Sequence, residues 1–399
     1  MRLAETIKRL AIEIGFDLVG IAPLDVAGDL GFARRWFERG YAGTMQYLGN
    51  PKRDDLRCVL PSAQSVVCVG LVYNTGRPYS TEIDSGRGGL CPPATANDSR
   101  AWISRYAWGR DYHEVMRGKL ERLRSDIEDL APGVETRIFV DTGPVVERAL
   151  ARYSGIGWMG KNTCLINEGK GSWFFLGVIL TSLALAPDQP APDRCGSCTR
   201  CLEACPTGAL VEPYVMDASR CISYFTIELR GSIPAEFRPA MGANVFGCDI
   251  CQDVCPWNSP QQSALSGQRD VSQKSEVRSQ EETGREAIHE RRTAALTASS
   301  EFQPMGVEAG GAEGRSFSLF NPRLDDLASL TEEDFRRVFA HSPIKRTKYR
   351  GWLRNLCVAV GNSGDRRFLP RLERLAQHDD PVVREHAQWA LGQLQAVED

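Results

Sequence analysis

Apolar residues return every three or four positions near the start of the chain, at Leu3, Ile7, Leu10, Ala11 and Ile14, which predicts an amphipathic helix. The pattern then changes period. Ser65 to Tyr73 is an apolar, β-rich run, and a shorter strand fits Thr136 to Val140. Gly171 to Leu183 is rich in Phe, Leu, Val and Ile over about a dozen residues, as expected of a strand buried on both faces. Val145 to Tyr153 reads as a helix, so residues 1–190 are expected to form one α/β domain. Arg77 to Ser99 has turn residues without periodicity and is expected to be a long loop.

After Pro256-Trp257-Asn258 the apolar pattern stops. Residues 259–315 are dominated by Gln, Ser, Glu, Arg, Gly and Thr and are expected to form a flexible linker or insertion, with a transient helix around Glu281 to Leu296. Periodicity returns at Leu330-Thr331-Glu332-Glu333, which resembles a capped helix start. Ala359-Val360-Gly361 recurs as Ala390-Leu391-Gly392, each preceded by an amphipathic helix, and Asp379-Asp380-Pro381 falls where a turn between repeats belongs. Residues 316–399 are therefore expected to be a short HEAT-like helical cap.

Length and charge narrow the field. A chain of 399 residues, 42% hydrophobic and 25% charged, predicts two or three domains with cores of their own. Its 48 Lys and Arg against 51 Asp and Glu leave a formal charge of −3, so any nucleic-acid contact must come from a local patch. Charges at Arg2, Glu5, Lys8, Arg9 and Glu13 rule out a secretory apolar core there, and no apolar run is long enough to span a membrane. A cytoplasmic monomer is expected.

The 13 cysteines carry the strongest chemical signal, because eight of them lie between Cys195 and Cys255. Such crowding implies metal ligation before cross-linking. Cys195-x2-Cys198-x2-Cys201-x3-Cys205-Pro206 is the bacterial ferredoxin run, in which the fourth cysteine reaches a second cluster. Cys248-x2-Cys251-x3-Cys255-Pro256 repeats its tail one cysteine short, and Cys221 completes the set. Crossed pairing then assigns Cys195, Cys198, Cys201 and Cys255 to one 4Fe–4S cluster, and Cys205, Cys221, Cys248 and Cys251 to the other. Zinc is the alternative, but three cysteines at two-residue spacing ending in Cys-Pro favour iron–sulfur. Residues 191–258 are thus expected to be a two-cluster ferredoxin-like module, a relay that feeds a site elsewhere in the chain.

Other motifs are more ambiguous. Gly155-x-Gly157-x-x-Gly160-Lys161 matches a dinucleotide loop and most of a P-loop, yet a helix precedes it where a strand is required, and Asn162 replaces the magnesium-binding Ser or Thr. Tyr106, Trp108, Tyr112 and His113, set among Arg105, Arg110 and Arg117, would suit stacked bases and phosphates, or equally a helix with a buried aromatic face. Lys345, Arg346, Lys348, Arg350 and Arg354 form a basic run without an acid, extended by Arg230, which reads as a phosphate grip or a solvated helix face.

Taken together, Ser104 to His113, Val140-Asp141-Thr142-Gly143-Pro144, Gly157-Trp158-Met159-Gly160-Lys161-Asn162-Thr163, the cysteine runs with Cys221-Ile222-Ser223-Tyr224, and Ser342-Pro343-Ile344-Lys345-Arg346 resemble the epoxyqueuosine reductase family. The resemblance spans about residues 1–258 and 316–399. It implies a cobalamin-dependent enzyme performing the last step of queuosine synthesis at the tRNA wobble position, fed by an external low-potential electron donor. It further implies an N-terminal fold like that of reductive dehalogenases, so the whole is expected to be a multidomain α+β protein. The cobalamin would be base-off, and with no Asp-x-His-x-x-Gly motif and none of the five histidines suitably placed, no protein histidine would lie beneath cobalt. The residues implied to hold it are Arg57, Ser104, Asp141, Asn162, Thr163, Leu165, Cys248 and Asp249; those implied to hold tRNA are Arg230, Lys345, Arg346, Lys348 and Arg350.

Asp141 is the expected proton donor. It follows the predicted strand, and a carboxyl raised by partial burial can protonate a leaving oxygen near neutral pH. Another cobalamin reductase, such as a dehalogenase, or a ferredoxin-like carrier on a HEAT-type scaffold are the competing readings. The first gives no reason for the basic C-terminal run, and the second predicts no corrinoid.

Overall fold

The computed structural model describes residues 2–83, 99–258, 296–297, 299–308 and 316–396. The N-terminal part runs α1 (Arg2–Ile14), β1 (Leu18–Pro23), α2 (Ala27–Glu38), β2 (Ser65–Val72), α3 (Ser80–Ile83), β3 (Trp102–Ile103), α4 (Tyr112–Leu130), β4 (Thr136–Phe139), α5 (Glu147–Tyr153), the hairpin β5 (Trp158–Met159) and β6 (Leu165–Ile166), and β7 (Phe174–Thr181). Its sheet has the order β1-β2-β7-β4, and every pairing is antiparallel. The α/β reading of this domain is corrected accordingly. All eight positions of β2 are buried, because α1 and α4 cover one face through Ile7, Leu120 and Ile127 while α5 covers the other through Leu150. Strands enclosed on both faces read as unbroken apolar runs whatever their direction.

The cysteine-bearing segment is irregular: α6 (Arg200–Ala204), the hairpin β8 (Leu210–Glu212) and β9 (Val215–Met216), β10 (Asn244–Phe246) and α7 (Ile250–Asp253) are all short. It is not a detached module, since β10 pairs in parallel with β3.

Part of the expected linker is ordered. Phe302 is 2% exposed in the core beneath β7, and β11 (Gly306–Glu308) pairs with β12 (Ser316–Ser318). The Arg110 amide donates to the Glu301 carbonyl at 2.8 Å, so close an approach that a Cβ on Gly109 would sit 2.1 Å from that oxygen. The flexible reading therefore fails for residues 299–308, whose single Phe supplies the anchor that average composition hides. The helix expected around Glu281 falls outside the described residues, as does most of the Arg77 to Ser99 loop.

The C-terminal helices span Leu324–Ser329, Glu332–Val338, Lys348–Ser363, Leu369–Leu375 and Pro381–Gln395. Thr331 and Asp334 form a reciprocal capping box, and Asp380 caps the last helix ahead of Pro381. The repeated triplets lie within two helices that touch: a Cβ on Gly361 would come within 3.0 Å of Ala390. Helix Lys348–Ser363 is buried from Gly351 to Gly361, so it is not the amphipathic helix the pattern suggested. It shares one core with Trp102, Ile103, Trp108 and Phe246, which ties the C-terminal helices to the middle of the chain.

Candidate active site

Asp141 sits just beyond β4 with φ 57°, in the left-handed region that costs a non-glycine residue strain. Arg53 braces the turn, donating from Nη1 to the Val145 carbonyl at 2.9 Å and from Nη2 to the Gly143 carbonyl at 3.1 Å, and the buried Glu147 carboxyl lies close by. Thr163 is also left-handed, at φ 63°, and its carbonyl accepts from Arg148 at 2.7 Å.

α4 brings the partners of Asp141. The Tyr112 hydroxyl donates to Asp141 Oδ2 at 2.8 Å, and His113 Nε2 lies 3.5 Å from the same oxygen. Tyr112 is clamped between rings, 4.3 Å from Phe175 at 3° and 4.0 Å from His113 at 28°. His113 Nδ1 meets Asp111 Oδ1 at 2.7 Å, and Asp111 Oδ2 meets Lys345 Nζ at 2.8 Å. Asp111 also caps α4 through the His113 amide, so the helix start that fixes the backbone fixes the acid. The result is a chain of ionisable groups, Lys345, Asp111, His113 and Asp141.

The charges follow from that chain. Burial lowers His113, but Asp111 and Asp141 outweigh it and raise the imidazole from 6.5 to about 9. Burial pushes the Asp111 carboxyl up, yet hydrogen bonds with His113 and Lys345 hold it well below the usual carboxylate range. Burial likewise pushes Asp141 up, but contacts with His113 and Tyr112 leave it below its ordinary value. The expectation of an Asp141 carboxyl raised by burial is therefore corrected: near neutral pH the proton of this pair resides on His113.

A cavity of about 490 Å³ is lined by Thr44, Tyr47, Glu228, Arg230, Arg346 and Lys348, among others, and two of these wall residues, Arg346 and Tyr47, feel the charge of Asp141. Arg346 pairs with Glu228 at 2.6 Å and reaches the Tyr47 hydroxyl at 3.3 Å, while Arg230 donates to the Arg346 carbonyl at 2.8 Å. The basic run is thus divided in its uses. Arg350 pairs with Asp380 at 2.6 Å. Arg354 is 1% exposed and donates to the carbonyls of Phe225, Leu229 and Gly231, so it ties the segment after Cys221 to the helix and is unavailable to a phosphate. Arg105 is corrected in the same way: it is 1% exposed, donates to the carbonyls of Thr75, Arg77 and Pro78, and lies over the rings of Tyr79 and Trp108. That stretch of aromatics and arginine is largely core.

None of the twelve described cysteines forms a disulfide. Burial and then neighbouring thiols push Cys201 to about 11, the neighbours being Cys198 and Cys195. Burial raises Cys255 to about 12, with Cys195 and Cys201 among its neighbours. Burial also raises Cys248, next to Cys221 and Cys205. Contact with Cys164, then burial, raises Cys251, which has Cys248 and Cys221 beside it. Cys164 lies beside both Cys251 and Cys255, so it borders both of the cysteine sets expected from the spacing. No three His, Cys, Asp or Glu side chains among the described residues converge on a single-ion site.

Second contacts show what several motif residues do. Lys161 donates to the carbonyls of Gly196 at 2.6 Å and Cys198 at 3.0 Å, so the lysine of the nucleotide-like motif holds the first cysteine loop. Asn162 donates to the Cys251 carbonyl at 3.1 Å and accepts the Cys164 amide at 3.2 Å. Asp249, beside Cys248, is 1% exposed and accepts from Trp102, Ser104 and the Arg105 amide. Leu165 is buried in β6. Arg57 stands apart on an exposed turn near Asp55, at 3.8 Å, and it is Arg53 that reaches the Asp141 loop. Sequence reasoning missed Arg53, Asp111, Glu147 and Lys161. Of these only Asp111 left a readable signal, as an acid two residues before His113 at a helix start.

Residues 194–258 match a family model described as a 4Fe-4S double cluster binding domain, and residues 53–142 match one described as epoxyqueuosine reductase QueG, DUF1730. Epoxyqueuosine reductase of Xanthomonas campestris is 37% identical over 98% of this chain and 96% of the relative; that of Synechocystis is 40% identical over 83% of this chain and 96% of the relative. A crystal structure of epoxyqueuosine reductase with an epoxyqueuosine-modified stem loop of tyrosine tRNA superimposes with a TM-score of 0.75 at 30% identity, covering 98% of this chain and 90% of that one. This chain belongs to the epoxyqueuosine reductase family.

Proposed function

We propose that this chain reduces epoxyqueuosine to queuosine at the tRNA wobble position, using two 4Fe–4S clusters and a base-off cobalamin fed by an external low-potential donor. The observation that carries the reading is the meeting of Asp141 with His113 and Tyr112, in a chain similar to epoxyqueuosine reductases along almost its whole length. The clusters fit the donor set, with Cys195, Cys198, Cys201 and Cys255 holding one and Cys205, Cys221, Cys248 and Cys251 the other. The cobalamin fits the strained turns at Asp141 and Thr163, since such strain persists where a ligand clamp is over-determined. Asp141 and Thr163 would border it directly. Ser104, Asn162 and Asp249 would act largely through the cysteine loop they support, because their polar atoms are engaged there, whereas Leu165 packs in the core behind α5.

When bound, the clusters supply electrons one at a time and the cobalamin supplies the low-valent metal that opens the epoxide. The residues of the chain manage protons and position. Restoring the alkene and releasing the oxygen as water takes two electrons and two protons. His113 holds a proton at neutral pH, Asp141 passes it to the leaving oxygen, and Asp111 with Lys345 keeps the imidazole charged and in one orientation. Tyr112 fixes the Asp141 carboxylate. The wobble base leaves the anticodon stack to reach Asp141, while Arg230 and Lys348 around the cavity hold neighbouring phosphates. Lys345, Arg346 and Arg350, already paired with acids, contribute less to that grip. The two long C-terminal helices act as a short HEAT-like scaffold that carries it.

Asp141→Asn tests the assignment. The variant should load cobalamin as the wild type does, judged by its visible spectrum, and lose most of its turnover on an epoxyqueuosine stem loop. Near wild-type turnover with the cofactor loaded would refute the role.

A further inference from the structure

We propose that Trp158 donates an indole N–H hydrogen bond to the sulfur of the 4Fe–4S cluster held by Cys195, Cys198, Cys201 and Cys255, and so raises that cluster's reduction potential. The inference rests on the cluster assignment above and adds a tuning group to it. Trp158 lies in β5, paired with β6, and is 2% exposed. Its side chain packs in a small group made of Ile166, Cys255, Cys195 and Trp257, with the Trp257 ring edge-on at 5.0 Å.

Within that group Trp158 Nε1 is sealed from solvent and has no hydrogen-bond partner among the described protein atoms. Buried N–H groups are nearly always paired, and an indole N–H can only donate. The acceptors packed against this ring are sulfurs, the two thiolates of Cys255 and Cys195 and the sulfides that come with them when a cluster is held. The indole tied to the other cysteine set differs. Trp102 Nε1 donates to Asp249, beside Cys248, at 3.0 Å, so it has no donor to spare. Reduction adds negative charge to a cluster, and a donor aimed at its sulfur favours the reduced form; hydrogen bonds to sulfur are among the factors that set these potentials. The arrangement makes the two clusters unequal.

The test is an EPR-monitored redox titration of the anaerobically purified full chain, without tRNA, comparing wild type with Trp158→Phe. Trp352→Phe serves as control, since that indole is also unpartnered but lies in the C-terminal core. With full iron content retained, one of the two midpoints should fall by about 59 mV, a tenfold change in the oxidised-to-reduced ratio at fixed poise for a one-electron couple. The other midpoint, and both midpoints of the control, should stay in place. Unchanged midpoints in Trp158→Phe overturn the proposal, whereas a wild type without 4Fe–4S signals overturns the cluster assignment instead. If Trp158→Phe fails to assemble clusters, the wild type grown on indole-15N tryptophan decides. Its reduced cluster should show a 15N coupling in pulsed EPR that persists in Trp257→Phe, and absence of that coupling overturns the proposal.

Discussion

Replacing Asp111 by Asn removes one negative charge from the centre of the Lys345–Asp111–His113–Asp141 chain while keeping the side chain's size. Asp111 touches His113 Nδ1 at 2.7 Å and is 4% exposed, so its charge is poorly screened. The rise of His113 from 6.5 to about 9 corresponds to roughly 3 kcal/mol favouring the imidazolium. An opposite charge at this range accounts for roughly 1 to 3 pH units of such a rise, so the variant imidazole should titrate between about 6 and 8. In the wild type the raised value stabilises the fold fully below pH 6.5, and that contribution disappears as pH rises through about 9. The same window governs turnover. Single-turnover reduction of an epoxyqueuosine stem loop by pre-reduced wild type should decline only as pH approaches about 9, whereas Asp111→Asn should begin its decline at least one pH unit lower and match the wild type better on the acid side. Carbon-13 histidine NMR can follow the imidazole directly among only five histidines. An unshifted alkaline limb together with an unshifted His113 titration would refute the reasoning.

Other residues can be tested separately. Cys205→Ser should cost the cluster of Cys221, Cys248 and Cys251 while sparing that of Cys195, Cys198 and Cys201; iron content and EPR of the reduced variant would reveal the opposite loss if the pairing does not cross. Burial lifts Glu147 from 4.5 to about 7, so its favourable contribution is present below pH 4.5 and lost as pH rises through about 7, leaving a charged buried carboxyl that costs up to roughly 3 kcal/mol at pH 8. Glu147→Gln should therefore raise the thermal midpoint at pH 8 and hardly change it at pH 4.5; equal shifts at both values would contradict this. Arg230→Ala combined with Lys348→Ala should weaken tRNA binding and flatten its salt dependence, by roughly 0.7 to 0.9 in log–log slope for each phosphate that is no longer neutralised. Arg354→Ala should instead destabilise the fold by roughly 3 kcal/mol or more, because it orphans the carbonyls of Phe225, Leu229 and Gly231, and a stable variant defective only in tRNA binding would reverse that assignment.

How much of this the sequence revealed depended on the range of each signal. Helix α1, the paired strands β2 and β7 and the cap at Thr331 are local, and their periodicity and capping chemistry are legible directly. The double-cluster segment is legible because ligand spacing is a local constraint that solvent exposure does not blur. Strand direction was not, since burial on both faces erases the alternation that marks an antiparallel strand. Arg105 and Arg354 were misjudged for a related reason: composition counts a charge but does not show the backbone carbonyls that a fold gathers around it. The His113 relay depends on Lys345, which is more than two hundred residues away, and no local pattern encodes that meeting. Phe302 escaped because one anchoring aromatic hardly changes the average of a long polar segment.

The central claim is tested most directly by mass analysis of nucleosides from epoxyqueuosine-containing tRNA incubated with the iron-reconstituted, cobalamin-loaded and reduced protein. Epoxyqueuosine should be converted to a nucleoside lighter by one oxygen atom and identical to queuosine, and omitting cobalamin or the reductant should abolish the conversion. Unchanged epoxyqueuosine from protein carrying both clusters and cobalamin would contradict it.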